Sequence, residues 1–190
     1  MIFYATKETV RRLNLPLIDA AAKQLTAAQM NALSRERGSG LFEWGCKVFD
    51  CCGMECVQIT HSASRLTVLH FDTNAKDARA TIPLALQGYL FDIYGDDRAM
   101  RRALNRYFMS ASTVVFDLIH DRRLIGALNQ IELEWALDEE RLNEYVENNI
   151  LQTRKINRDI AERYRAVKIN GKSEYIMPKT YFREMILNYV

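Results

Sequence analysis

The run EWGCKVFDCCGMECVQITHSASRLTVLHFD, residues 43–72, alternates apolar and polar side chains through three segments separated by short turn-forming stretches. Period-two alternation in residues rich in Val, Ile, Thr and aromatics is the mark of half-buried strands. The expected arrangement is an antiparallel meander: EWGCKVFD, a tight turn at Cys51-Cys52, MECVQITH, an SASR loop, then LTVLHFD. Register offers an internal check. If Asp50 faces Gly53, then Trp44 faces Ile59 and Cys46 faces Val57; if His61 faces Leu66, then Ile59 faces Val68 and Val57 faces His70. One face then collects Trp44, Cys46, Val48, Val57, Ile59, Leu66 and Val68, so alternation and cross-strand pairing agree. The other face carries Phe49, Met54, Leu69 and Phe71, which predicts partial cover there too.

The same run holds all four cysteines and two of the three histidines. The cysteine spacing is C-x4-C-C-x3-C, not the paired C-x2-C of a structural zinc site. The register puts Cys46 and Cys56 on opposite faces and Cys51 and Cys52 at an exposed turn tip, so four thiolates do not converge. No metal and no cofactor is expected. Cys46 reads as a small core residue, and the exposed Cys51 or Cys52 is left as the candidate for redox sensing. His61 and His70 share a face but stand four residue steps apart, roughly 13 Å at strand spacing. That is too far for an acid and a base acting on one bond.

Outward from the meander, MIFYA reads as a short strand, and Thr6 caps a short helix to about Leu13. Pro16 opens a second helix in which Ile18, Ala21, Ala22, Leu25, Ala28, Ala32 and Leu33 keep helical spacing, ended by RERGSG at 35–40. TIPLALQGYLFDIYG reads as a buried central helix, apolar nearly all round, with Thr81 as cap, Pro83 in its first turn and Gly95 as its stop. An amphipathic basic helix (DDRAMRRALNRYF) and a buried strand (TVVFDLI, 113–119) follow. The next segment is helical with a bend near Asp138, and a further helix runs through LQTRKINRDIAERY. A hairpin turning at Asn170-Gly171 and a last helix from Pro178 close the chain. Strands and helices are mixed without repeated βαβ units. The fold class is therefore α+β: an antiparallel meander sheet, joined by the N-terminal and a late strand, packed on a buried central helix. Residues 1–137 are expected to form the core domain, and 138–190 a helical and hairpin extension packed on it.

Composition bounds the function. The chain has 190 residues, 48% apolar and 26% charged, with a net charge of +2. That suits one folded domain and excludes a polyanionic nucleic-acid mimic; it gives no overall pull toward nucleic acid or membrane. There is no long apolar run and no signal-peptide pattern, so no membrane association and a cytoplasmic, thiol-reducing home are expected. Charge is segregated, however. Residues 130–149 set seven acids against Arg141, and residues 150–190 set nine Lys or Arg against four acids. The ordinary reading is two solvated helix faces of opposite sign; the sharper one is a basic C-terminal surface for an anionic partner.

No phosphate-loop, dinucleotide, zinc-protease or serine-hydrolase motif occurs. The candidates for chemistry are His120, Asp121 and Arg123, which follow a buried strand and precede a helix. An anion can be gripped at such a helix N-terminus, and Asp121 can equally be only its cap. Lys7 is a further catalytic candidate. Asn129, one to two turns inside that helix, is either exposed or hydrogen-bonded across to a neighbour. The candidate binding residues for an anionic partner are Arg98, Arg101, Arg102, Arg106, Arg154, Lys155 and Arg158, with Asn129 beside them.

Taken together, MIFYATKET, EWGCKVF, LTVLHFD and DRRLIGALNQ resemble a family of small bacterial, plasmid and phage proteins known only as a domain of unknown function. The matching residues are Thr6, Lys7, Trp44, Gly126 and Asn129, and the likeness spans roughly 1–135. The family's box reads Arg-Ser-x-x-Gly-Ser-Met-Asn; here Arg123 and Ala127 stand in place of its serines. The resemblance implies a mobile-element setting and no particular activity. Three functions are therefore carried forward. The first is an interaction protein binding a protein or nucleoprotein partner, with nucleic acid contacted through the basic residues. The second is a metal-independent ribonuclease using His120, Asp121, Arg123 and Lys7. The third is an inhibitor of a host defence complex. Two Trp and nine Tyr leave room for an oligomer interface.

Overall fold

The computed structural model describes the whole chain except residues 23, 24, 72, 74, 112, 170, 171 and 190. Strand β1 (Ile2–Ala5) leads through α1 (Lys7–Arg12), α2 (Ile18–Ala22) and α3 (Ala27–Glu36) to β2 (Glu43–Cys51). Thr6 caps α1, its hydroxyl accepting from Thr9 N at 3.1 Å. The single helix expected over 16–34 is two helices. Thr26 and Gln29 form a reciprocal capping box that starts α3 afresh, because the Thr side chain offers the backbone a local partner that competes with continuing a helix.

The meander follows as β2, β3 (Met54–His61) and β4 (Thr67–Phe71). Its first hairpin differs from expectation in one respect. Cys51 pairs with Met54, so the turn is Cys52-Gly53, with φ of 51° and 82°. Two successive left-handed residues make the tight turn whose twist suits a hairpin, and Gly53 accepts that conformation without steric cost. Every pair is thereby displaced by two residues: Trp44 faces His61, and Cys46 faces Ile59. An even displacement leaves each side chain on its expected face. The second hairpin keeps the expected register, with Ile59 opposite Val68 and Val57 opposite His70.

The chain then forms α4 (Ala78–Ile93), α5 (Arg98–Ser110) and β5 (Val115–Leu118). The sheet order is β4-β3-β2-β1-β5, with β1 parallel to both neighbours. The sheet is mixed because helices separate β1 from β2 and β4 from β5, and a helical crossover lets a strand return in the same direction. After β5 come α6 (Arg122–Trp135), α7 (Glu139–Asn143), a two-stranded turn β6 (Val146–Glu147) and β7 (Ile150–Leu151), α8 (Thr153–Ala161), the hairpin β8 (Arg165–Ile169) and β9 (Lys172–Ile176), and α9 (Pro178–Tyr189). Asp138 caps α7, at the expected bend. The β6–β7 turn was not anticipated. The expected Asn170-Gly171 turn lies outside the described residues, though the strands beside it pair Ile169 with Lys172.

Both faces of the sheet are covered. On one face Trp44, Cys46, Val48, Val57, Ile59, Leu66 and Val68 pack with Ile82, Leu86 and Leu90 of α4, Leu104 and Tyr107 of α5, and Phe182 and Ile186 of α9. Helix α4 buries one stripe; Leu84, off that stripe, is 64% exposed. On the other face Phe49, Cys51, Cys56, Leu69 and Phe71 meet Ile131 and Trp135 of α6, Leu142 of α7, and Ile156 and Ile160 of α8. Gly45 sets the approach of α6: a Cβ there would lie 3.0 Å from Leu124. Asn157 of α8 closes the β4 edge. Its side chain accepts from Leu69 N at 2.7 Å and donates to Leu69 O at 3.0 Å, as a neighbouring strand would.

Candidate functional site

A cleft of about 920 Å³ opens where the second face is left uncovered, between the 37–40 loop, the β3–β4 turn, the start of α6 and the β8–β9 hairpin. One wall is held by Glu43, a buried carboxylate that accepts from Tyr4 Oη at 2.9 Å, Gly38 N at 2.8 Å and Gly40 N at 3.0 Å. Burial, reinforced by Glu43, pushes the Tyr4 phenol far up, so Tyr4 stays a donor. On the sheet, Gln58 Nε2 donates to Thr60, whose hydroxyl lies 2.9 Å from that of Thr67, and Thr60 and Thr67 line the cleft.

Four arginines line it: Arg37, Arg65, Arg123 and Arg165. Three have carboxylate partners. Arg37 meets Asp117 at 2.8 Å, Arg123 meets Asp121 at 3.4 Å, and Arg165 grips Glu134 through two nitrogens. Arg65 has no ion pair among the described residues, and its Nη1 is out of solvent with no acceptor. Burial lowers the pKa of its guanidinium; nearby Asp121 opposes that shift and Arg123 adds to it. Its backbone is left-handed, φ 61°, an unfavourable state for a bulky residue. Arg165 is 6% exposed, and its Nε also lacks an acceptor.

The sequence candidates divide. His120, Asp121 and Arg123 line the cleft together, whereas Lys7 opens α1, exposed and outside the lining. Asp121 caps α6, accepting from Arg123 N at 2.8 Å. Burial works against its ionisation, but the bonds from Arg123 outweigh that, and its carboxyl sits below the usual range. Asn129 faces the sheet side of α6, accepting from Lys47 Nζ at 2.7 Å. Gly126 lines the cleft, and a Cβ there would meet nothing within 4 Å.

Arg98, Arg101, Arg102 and Arg106 lie along the exposed side of α5, opposite its buried Met100, Ala103, Leu104 and Tyr107, and none has an ion pair among the described residues. The α8 cations differ. Arg158 is held by Asp92 at 3.0 and 2.8 Å, and Lys155 lies 3.6 Å from Glu147, leaving Arg154 as the exposed one without an ion pair. The segregated charges seen in sequence thus partly neutralise each other, through Arg165–Glu134 and Lys155–Glu147. Cys51 is not exposed as expected. It is buried, its thiol donates to Trp135 O at 3.2 Å, and burial pushes its pKa up to about 12. The turn begins one residue later than expected, which draws Cys51 into the strand and under α6. Sequence reasoning passed over Arg65, Glu43 and Arg165. The local signals of the cleft were His120, Asp121 and Arg123, with Gly126 inside the helical pattern that follows them.

These features define a mixed-sheet α+β protein with an arginine-lined cleft beside the N-terminus of α6. A family model described as a domain of unknown function (DUF6933) matches residues 2–181, and the chain belongs to that family. The match extends past the 1–135 span of the resemblance and takes in α7, α8, the β8–β9 hairpin and the start of α9. No curated protein and no solved structure matches the chain. Among the described residues, no helix is long and apolar enough to cross a membrane.

Proposed function

We propose that the protein is an interaction protein that docks an anionic macromolecule, a nucleic acid or a nucleoprotein, on the outer side of α5. The supporting observation is the unpaired row of Arg98, Arg102 and Arg106, one turn apart, with Arg101 beside it. Like charges at that spacing each destabilise a helix by about 0.2–0.5 kcal/mol. A polyanion laid along the helix would convert that cost into charge-assisted contacts. The plasmid or phage setting and inhibition of a host defence complex belong to the same proposal as settings for the partner. The test is binding of a single-stranded oligonucleotide across a salt series. Log affinity should fall with log salt by about 0.7 per phosphate neutralised. The variant R98Q/R102Q/R106Q should lose roughly two units of that slope. A salt-independent affinity, or an unchanged slope in the variant, overturns the proposal.

A second reading, a metal-independent ribonuclease, is favoured by one observation: His120, Asp121 and Arg123 border the same cleft as the unpaired Arg65. A cation and a titratable imidazole near one phosphate suffice for such chemistry. Incubation with RNA in chelator, wild type beside His120→Ala, tests it. Equal cleavage by the two removes His120 from any role.

A further inference from the structure

We infer that the cleft is a binding site for a small organic monophosphate, with Arg65 as the group that recognises the phosphate. The site is separate from the α5 face, and the inference does not depend on that proposal. It starts from the ion pairing of the cleft arginines. Arg37, Arg123 and Arg165 each meet a carboxylate, so the fold already supplies their counter-ions. Arg65 is held in the cleft wall without one, and one of its nitrogens is out of solvent without an acceptor. Arg65 as a whole is only half-buried, so the rest of its guanidinium stays within reach from the cleft, and an oxyanion seated against it supplies the missing charge and acceptors.

A second observation points the same way. Arg165 is 6% exposed, Glu134 occupies two of its nitrogens, and its Nε is left without an acceptor at the other wall. His120 and Arg123 stand at the same end of the cleft, where Asp121 caps the N-terminus of α6. Phosphate suits this set because it offers acceptors in several directions at once. The rest of the ligand is organic, because a volume of about 920 Å³ far exceeds one phosphate and falls among pockets that hold drug-sized molecules. Leu124, Ile131 and Val167 provide apolar wall for it, and Gly126 leaves that wall open.

The experiment is calorimetric titration of the full chain at low salt with inorganic phosphate, adenosine monophosphate and adenosine, on wild type and on Arg65→Gln. Both phosphate-bearing probes should bind saturably at millimolar concentration or below, and adenosine should not. Arg65→Gln should weaken adenosine monophosphate about tenfold to a hundredfold, as loss of a charge-assisted bond implies. A thermal melt of the ligand-free proteins runs alongside. Arg65→Gln should melt no lower than wild type, because it removes a half-buried charge that has no ion pair among the described residues. Loss of binding through misfolding would instead lower the melt, and Arg65→Lys, which keeps the charge, then serves as the second variant and should retain part of the affinity. The inference is overturned if neither phosphate probe binds, if adenosine binds as well as its monophosphate, or if Arg65→Gln binds unchanged. It is also overturned if a folded Arg65→Lys binds no better than Arg65→Gln.

Discussion

On one face of the sheet every polar group of the aromatic cluster is met. Trp44 Nε1 donates to Tyr107 Oη at 3.0 Å, and Tyr107 Oη donates to Leu41 O at 2.9 Å. The same carbonyl accepts from His61 Nε2 at 3.0 Å, while Ser64 N donates to His61 Nδ1 at 3.2 Å. Across the sheet, Gln58 Oε1, Arg65 Nη1, Trp135 Nε1 and Arg165 Nε are buried without partners. An unmet buried polar atom costs on the order of 1–3 kcal/mol, so the second face carries a penalty the first avoids. The two arginines among them line the cleft. The difference separates a face built for stability from one that carries unmet polar groups beside a cleft.

The largest test of that contrast lies on the sealed face. Trp44 is fully buried, stacks edge-on to His61 and Phe182, and makes its own hydrogen bond. Trp44→Ala should cost about 3–5 kcal/mol in urea unfolding, and it removes the bond that Tyr107 Oη accepts besides. A loss below about 1 kcal/mol would mean that the cluster is loosely packed and the contrast is wrong.

His61 gives the next effect, through pH. Burial, against a smaller opposing pull from Leu41 O and with some help from Arg65, lowers its pKa from 6.5 to about 4. Between those values the unfolded chain takes up a proton that the folded one excludes. Stability from this group is therefore complete above pH 6.5 and lost as pH falls toward 4. The full loss is about 3 kcal/mol. Carboxylates titrate in the same range, so the measurement is the difference in pH slope between wild type and His61→Gln. Equal slopes would show that His61 is not held neutral.

Asn157 extends the sealed pattern to the sheet edge. Asn157→Leu keeps the bulk but leaves Leu69 N and O unpaired, at a cost of about 1–3 kcal/mol. Hydrogen exchange at Leu69 should speed up more than at Ile59, which is paired on both sides. Uniform acceleration along the sheet would instead point to global loosening.

The sealed face was legible in sequence because period-two alternation survives an error in register. Moving the turn from Cys51-Cys52 to Cys52-Gly53 displaced every pair, yet Trp44, Cys46 and Ile59 stayed on the same side. The strand membership of Ile2–Ala5 and Val115–Leu118 was legible too, but not their parallel pairing, since no local pattern records which strand a crossover returns to. The cleft was legible only at its α6 end, where His120, Asp121 and Arg123 are consecutive or nearly so. Its other walls come from Glu43, Arg65 and Arg165, far apart in the chain and brought together by packing alone. Arg65 reads in sequence as an ordinary loop arginine; only the fold shows that it has no ion pair among the described residues.

Gly126 supplies the smallest effect, and its sign sets it apart from Gly45, the other glycine at α6. Glycine inside a helix costs about 0.8–1.0 kcal/mol relative to alanine. At Gly126 nothing lies within 4 Å of the position a methyl group would take, so neither packing nor backbone geometry calls for glycine. Gly45 contrasts with it, because Leu124 lies 3.0 Å from where its Cβ would be. Gly126→Ala should therefore raise stability by about 0.5–1 kcal/mol. Gly45→Ala should lower it, since α6 must move to make room. The same Gly126→Ala methyl projects into the cleft, so the stabilised variant should bind adenosine monophosphate more weakly than wild type while leaving inorganic phosphate, a smaller probe, less affected. If Gly126→Ala gains stability and binds both probes as wild type does, the glycine serves neither the fold nor the cleft, and the open wall at α6 is not part of a ligand site.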